Sequence, residues 1–252
     1  MNYRTITLMA TLAITAASLL AQQPLRGPDG GTKTRVSGVD VLAVPNAPFS
    51  STTTTEWTRT LEDGTVIKTH LLAHIARDSK GRVYRERCSF VPANVDPSSH
   101  LNEVHIYDPV GKFQMRCGLR ARQCVVSNYT PQTFFDTIPE GSFADGTRYL
   151  KREFLGTQTI SGLSVTGTRE TKTINPGVIG NDRALNLSRE FWYNAELQTN
   201  LKVIRDEPGT GRQVITLSEI SRDEPNPEIF KMPFGYNVLD TRSGKSRVES
   251  QR

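Results

Sequence analysis

His70 and His74 stand four residues apart in Val66-Ile-Lys-Thr-His-Leu-Leu-Ala-His-Ile-Ala76, and the element that carries them decides whether they can share a metal ion. On a helix they would sit one turn apart and could chelate. The same stretch also alternates, with Ile67, Thr69, Leu71, Ala73 and Ile75 on one side and Lys68, His70, Leu72 and His74 on the other. Gly-containing turns on both flanks favour the strand. There the two imidazoles are about 13 Å apart and cannot meet at one ion. No Glu follows His70, so the metalloprotease helix motif is absent. Gly162-Leu-Ser-Val-Thr166 opens like a nucleophile elbow but lacks its final Gly. Gly244-Lys-Ser246 ends like a phosphate-binding loop, with Leu239 where a leading Gly is required. The sequence shows no catalytic residue, metal-ligand set or cofactor motif, so no enzyme activity and no cofactor are expected.

Three cysteines carry the remaining reactive chemistry. Cys117 and Cys124 bracket Gly118-Leu-Arg-Ala-Arg-Gln123, between the alternating runs Lys112–Cys117 and Cys124–Tyr129. A hairpin with Cys at both loop ends sets the thiols opposite each other, and an oxidising compartment joins them. Closing so short a loop contributes roughly 2–3 kcal/mol. Cys88, in Tyr84-Arg-Glu-Arg-Cys-Ser-Phe90, reads as a small core hydrophobe with a free thiol. The same region concentrates arginine: Arg82, Arg85 and Arg87 stand on one hairpin, with Arg85 and Arg87 on a common strand face. That face is a candidate for an anion or a protein partner, or a solvated ladder of cross-strand ion pairs.

The elements that must position these residues are strands. Ser51–Leu61 is Thr-rich and ends at Asp63-Gly64, a hairpin turn signal. Further alternating runs follow at intervals of roughly ten residues, with few helical stretches, as in a meandering antiparallel sheet. The expected architecture is mainly β: a large curved antiparallel half-barrel of about 10–12 strands in a single domain over residues 49–238. Residues 22–48, rich in Gly, Pro and Thr, read as an extended or disordered lead-in, and residues 239–252 as a disordered tail. Ahead of them, Arg4 precedes the apolar run Ile6–Ala21, the pattern of a secretory signal peptide over residues 1–21 with cleavage after Ala21. Gln22 stands where a lipid-anchored protein would carry Cys. Export to the periplasm or beyond is therefore expected, with no transmembrane span in the mature chain.

With 36% hydrophobic and 23% charged residues among 252, the composition excludes a collagen, a coiled coil and global disorder. The formal charge of +5 is too diffuse for a nucleic-acid partner but suits an anionic ligand or surface.

The second half also carries a recognisable order of motifs. Gly156-Thr-Gln-Thr-Ile-Ser-Gly162 leads a strand ending in Thr166-Gly-Thr168, and Phe191-Trp-Tyr-Asn-Ala-Glu-Leu197 precedes Leu201-Lys-Val-Ile204 and the turn Pro208-Gly-Thr-Gly211. The close is Pro225-Asn-Pro-Glu-Ile-Phe-Lys-Met-Pro-Phe-Gly-Tyr236. This order resembles the outer-membrane lipoprotein carrier (LolA/RseB-like) superfamily over residues 47–237. The run from Ala47 through Asp63-Gly64 to Arg82 is similar to a group of secreted bacterial proteins of that architecture. The resemblance implies a half-barrel that binds lipid or protein in the envelope. The carriers open with an amphipathic helix over the sheet, whereas residues 22–48 here show no helical period. In the closing motif Asn226 is expected to cap a turn started by Pro227, with Phe230 pointing into the core.

The leading expectation is an exported, non-enzymatic binding module that holds a lipid or other amphiphile on a concave sheet, with Trp57 and Trp192 as candidate lining residues. The alternative is an envelope interaction or sensor module that uses the Arg82, Arg85 and Arg87 face. Export has a direct check: intact mass of protein recovered from the envelope should correspond to a chain beginning near Gln22, and a mass that still includes Met1 would refute it.

Overall fold

The computed structural model describes residues 38–131, 138–243 and 247–250. The signal peptide with its cleavage after Ala21, the lead-in as far as residue 37, and residues 132–137, 244–246, 251 and 252 lie outside the described residues. The chain is mainly β. Its N-terminal half contributes β1 (Phe49–Thr60), β2 (Val66–Arg77), β3 (Val83–Cys88), the two-residue β4 (Val91–Pro92), β5 (Leu101–Asp108), β6 (Phe113–Gly118) and β7 (Gln123–Asn128). The C-terminal half contributes the two-residue β8 (Gly141–Ser142), β9 (Arg148–Ile160), β10 (Leu163–Ile174), β11 (Leu185–Asn194), β12 (Thr199–Glu207) and β13 (Gly211–Ser221). A 3-10 turn, Pro227–Phe230, then leads to β14 (Asn237–Asp240) and β15 (Arg247–Ser250).

All of these strands join one open sheet of fifteen, in the order β15-β14-β7-β6-β5-β3-β2-β1-β13-β12-β11-β10-β9-β8, with β4 paired to β2 off that path. The excess over the expected count comes from β4, β8, β14 and β15, which are too short to show an alternation. The sheet is two meanders, and the late strand β13 seals them by pairing with β1 along Thr52–Thr58. One strand departs from the antiparallel rule: β14 runs parallel to β7, with Val238 opposite Cys124. The long connection between them makes such a crossover possible. Part of the tail expected to be disordered is also paired, since Arg247–Ser250 forms β15 against β14. Backbone pairing at an open edge needs N–H and C=O groups, not an apolar composition.

The stretch around the histidines is a strand, β2, as its alternation indicated. Cys117 lies directly opposite Cys124 across the β6–β7 hairpin, and the two are bonded with a Cα–Cα distance of 4.0 Å. Cys88 is free, and burial, followed by the nearby Glu86, raises its thiol to about 11. The closing motif is built as expected: Asn226 accepts from the Glu228 backbone N–H at 3.0 Å, and Phe230 is buried.

Alternation on β2 places Ile75 and Ala76 on opposite faces, and each belongs to a different core. One cluster joins Phe49, Ile75, Val83, Phe191, Val203, Ile215 and Leu217 with Val39 and Val41 from the lead-in. The other joins Ala76, Ile106, Met115, the disulfide and Phe230. Residues 38–48 form no strand or helix, yet Val39 and Val41 are buried against the first face and Leu42 is buried as well. Among the described residues, the cover on this face is chain without helix or strand.

Arg77 fastens that cover. Its side chain is fully buried at the end of β2, where Nε donates to the Ala47 carbonyl at 2.8 Å, Nη1 to Leu42 at 3.0 Å and Nη2 to Leu197 at 2.7 Å. Leu197 lies in the β11–β12 turn, and β2 is separated from β12 by two strands, about 14 Å on a flat sheet. One guanidinium cannot span that distance unless the sheet curls toward this side or the turn folds over it. This side is called the inner face below. Burial lowers the Arg77 pKa to about 10, with a smaller opposing effect from Tyr193, so the group stays charged at neutral pH.

Replacing Arg77 by Met would strip three buried carbonyls of their donor, at roughly 1–3 kcal/mol for each group left unsatisfied. The melting temperature is expected to fall by about 10 °C. Limited proteolysis should cut first between residues 38 and 48. An unchanged melting temperature and cleavage pattern would show that the segment is held by its apolar side chains alone.

Candidate functional site

Strand pairing arranges the inner face in transverse rows. One row runs Leu71, Thr55, Ile215, Val203, Phe191, Thr168 across β2, β1, β13, β12, β11 and β10. It is apolar except for its two threonines. The next row runs Thr69, Trp57, Gln213, Arg205, Arg189, Glu170, Arg152, extending to β9, and is polar throughout except for the indole. The two rows adjoin because positions i and i+2 of every strand share a face. An amphiphilic seam about 24 Å long therefore crosses six strands, at about 4.8 Å per strand step.

Trp57 sits on the polar row. Its Nε1 donates to the Thr210 carbonyl at 2.7 Å, Phe90 meets it edge-on at 5.9 Å, and the Arg59 guanidinium stacks 4.5 Å from its ring centre. Arg59 runs over Gly211, where a Cβ would come within 3.0 Å of its Cγ and 2.3 Å of the Thr58 carbonyl oxygen. Gly211, at φ +86°, is thus required twice over, by its backbone and by the side chain above it.

Trp192 does not join Trp57. It pairs with Lys202, Lys202 with Thr216 and Thr216 with Thr54, three residues from Trp57 on β1. An odd offset on a strand means the opposite side, so Trp192 does not share the row of Trp57, although it packs at the margin of the cluster around Phe191 and Val203. The Trp192 ring lies on Gly167, where a Cβ would be 2.5 Å from it.

The arginines of the β2–β3 hairpin also part company. Arg82 turns to the outer face, where its Nε meets Asp78 Oδ2 at 2.6 Å and its guanidinium stacks 4.6 Å from the Phe230 ring centre. Arg85 and Arg87 lie on the inner face. Arg85 is bound to Asp40 of the lead-in, and Arg87 lies within electrostatic reach of Arg85, Tyr107, Asp40 and Glu103. The expected single arginine face does not form; Arg82 and Arg85 are engaged by Asp78 and Asp40 of the chain itself. Beyond them His105 Nε2 meets Glu103 Oε2 at 3.0 Å, beside a cleft of about 540 Å³ lined by Tyr107, Gln114, Arg116, Val125 and Ser127. His70 and His74 face outward from β2: His70 Nε2 meets the Val95 carbonyl at 2.8 Å, and the His74 backbone N–H donates to Glu86. Among the described residues, no group of three His, Cys, Asp or Glu side chains is placed to hold a metal ion.

The most unusual charge was not singled out from the sequence. Arg205 is 2% exposed at the middle of the polar row, and its Nη2 donates to Glu207 Oε1 at 3.1 Å. The same oxygen already accepts from Arg189 Nε at 3.2 Å and Nη2 at 3.0 Å. Arg205 Nε and Nη1 are buried with no acceptor, as are the Thr55, Thr69 and Thr53 hydroxyls and Arg59 Nε. Lys172 is held below its ordinary pKa by burial, then by Arg189 and Arg148, with Glu207 opposing. Nothing local distinguishes Arg205 in Leu201-Lys-Val-Ile-Arg205; only the row across the sheet does.

No family model and no curated protein matches this chain. Solved structures similar to it include a conserved protein of Thermus thermophilus, 12% identical over 77% of this chain and 90% of that one, with a TM-score of 0.39. MucB in the Pseudomonas aeruginosa MucA/MucB complex is 9% identical over 75% of this chain and 56% of that one, with a TM-score of 0.35. A LolA superfamily protein of Nitrosomonas europaea is 9% identical over 75% of this chain and 91% of that one, with a TM-score of 0.30. The group that the sequence motifs resemble is thus among the similar structures, and at these values the likeness assigns neither ligand nor partner.

His105 provides a pH test of the inner face. Burial lowers its pKa, Arg87 and Arg85 push the same way, and its hydrogen bond to Glu103 opposes them. The unfolded chain therefore takes up the proton first as pH falls, and the stability held above the unfolded pKa of about 6.5 is lost on further acidification. The melting temperature should drop between about pH 7 and pH 5.5, and His105→Gln should flatten that limb. An identical slope in the variant would assign the acid sensitivity elsewhere.

Proposed function

We propose that this chain is an exported, non-enzymatic binding module that holds an amphiphile against the inner face of its sheet. The observation that carries the reading is the seam, an apolar row directly beside a polar row on one face. A ligand with both characters matches the two rows at once, whereas a purely apolar ligand would leave the Arg205 donors on the polar row unmet. The apolar row is closed in this structure, Leu71, Ile215, Val203 and Phe191 all being 0% exposed. An acyl chain enters by displacing cover, and segment 38–48 is the cover whose fastening is visible at Arg77. Export is supported by the apolar leader and by the Cys117–Cys124 bond, which suits an oxidising compartment.

The alternative, an arginine face for an envelope partner, is less well supported, because Asp78 and Asp40 engage Arg82 and Arg85.

An uncharged single-chain lipid, monododecanoylglycerol, is expected to bind saturably and shift the emission of Trp57. Trp57→Leu should weaken binding by about tenfold, more than it affects melting, because a buried aromatic contact is lost. Trp192→Leu, on the other face, should leave affinity unchanged. Absence of saturable binding by any amphiphile, with the protein folded, would overturn the reading in favour of a protein partner.

A further inference from the structure

Arg205 is a buried cation whose donors outnumber its acceptors. Its guanidinium carries five N–H bonds, and those on Nε and Nη1 end in no acceptor. Its one visible partner, Glu207, does not depend on it, because Arg189 already gives the same oxygen two hydrogen bonds. Charge is unbalanced in the same sense. Among the described residues five cations, Arg59, Arg152, Lys172, Arg189 and Arg205, stand about two carboxylates, Glu207 and Glu170, the latter opposite Arg189 and bound by Arg152 at 2.9 Å. A buried guanidinium left this way is expensive, and hydrophobic side chains of similar volume often serve a fold as well or better.

We infer that Arg205 is the centre of an anion site, built to take a phosphate-type oxyanion, with Arg189, Lys172 and Arg59 supplying the surrounding positive charge. The excess of cations over carboxylates favours a multiply charged group. A phosphate also brings three acceptor oxygens, enough to receive donors that point in different directions from one guanidinium. The Thr55 and Thr69 hydroxyls, buried on the same face without partners, flank Trp57 farther along the sheet. This inference names the head group for the amphiphile reading and rests on that reading only for the tail: the phosphate lies on the polar row and the chain on the apolar row beside it.

The test uses the purified protein carrying Trp192→Phe, so that Trp57 is its only indole, with three titrants: dodecyl phosphate, monododecanoylglycerol and inorganic phosphate. Dodecyl phosphate should bind about tenfold or more tightly than the neutral lipid, as charge-assisted hydrogen bonds require. Arg205→Met should abolish that difference while melting at the same or a higher temperature without ligand, an outcome that a structural arginine would not give. Should that variant not fold, Arg205→Lys, which keeps the charge without the planar fork, should still narrow the difference. Inorganic phosphate that binds as tightly as dodecyl phosphate identifies a free anion as the ligand; much weaker binding identifies the lipid head group.

Equal affinity for the two lipids would overturn the anion site and leave the amphiphile reading standing. Phosphate binding that depends on Arg205, with neither lipid bound more tightly, would keep the site and overturn the amphiphile. A lower melting temperature in Arg205→Met with the lipid preference intact would make Arg205 a structural residue.

Discussion

A single buried guanidinium holds the two ends of this architecture in one place. Among the described residues Arg77 meets no carboxylate and is instead satisfied by three main-chain carbonyls, from Leu42, Ala47 and Leu197. Those carbonyls belong to the lead-in and to a hairpin of the other meander, so the interaction exists only when both have reached their final positions. It stacks as well on Phe49, 5.2 Å from the ring centre, at the start of β1. Carbonyl dipoles and an aromatic face stabilise a cation without introducing a second charge that must also be desolvated. Val39 and Val41, from the same segment as the Leu42 and Ala47 carbonyls, are buried against the apolar cluster on that side.

The two faces of the sheet then take different roles. The outer face carries the disulfide and the Phe230 plug in one compact apolar cluster. Around β9 to β11 its polar side chains are matched across strands, as in Arg169 with Glu190. The inner face has one such match, Arg152 with Glu170, at its β9 end. Its upper end is packed apolar side chains, and its lower end gathers more guanidinium than carboxylate. Such an imbalance lowers the stability of the isolated chain, and binding an anion would restore it.

Much of the sheet was legible because strands advertise themselves locally. Alternation identified β2 against a competing helical pattern, and the six residues between Cys117 and Cys124 were enough to imply their bond. Asn226, Pro227 and Phe230 announced a capped turn with a buried aromatic. The short strands β4 and β8 were not legible, since two residues have no period, and β14 and β15 were hidden because edge pairing demands little of the side chains. The lead-in was expected to be extended or disordered, and nothing in it announced that its described part, residues 38–48, is held by Arg77, a residue 30 positions after Ala47.

The sequence by itself determined that this chain is mainly β, that its strands meander, and which residues of any one strand share a side. Those are properties of period two and of turn chemistry, and both act within a few residues. The tertiary structure decided that β13 pairs with β1, that Trp57 and Trp192 fall on opposite faces, and that Arg82 leaves Arg85 and Arg87. It also decided that Arg205 stands beside Arg189 with a shared carboxylate. Each of these depends on the register between strands far apart in the chain, where a shift of one residue would reverse every side chain. The partners of a charge on a sheet are set across the strands, and the linear order of residues does not contain that row.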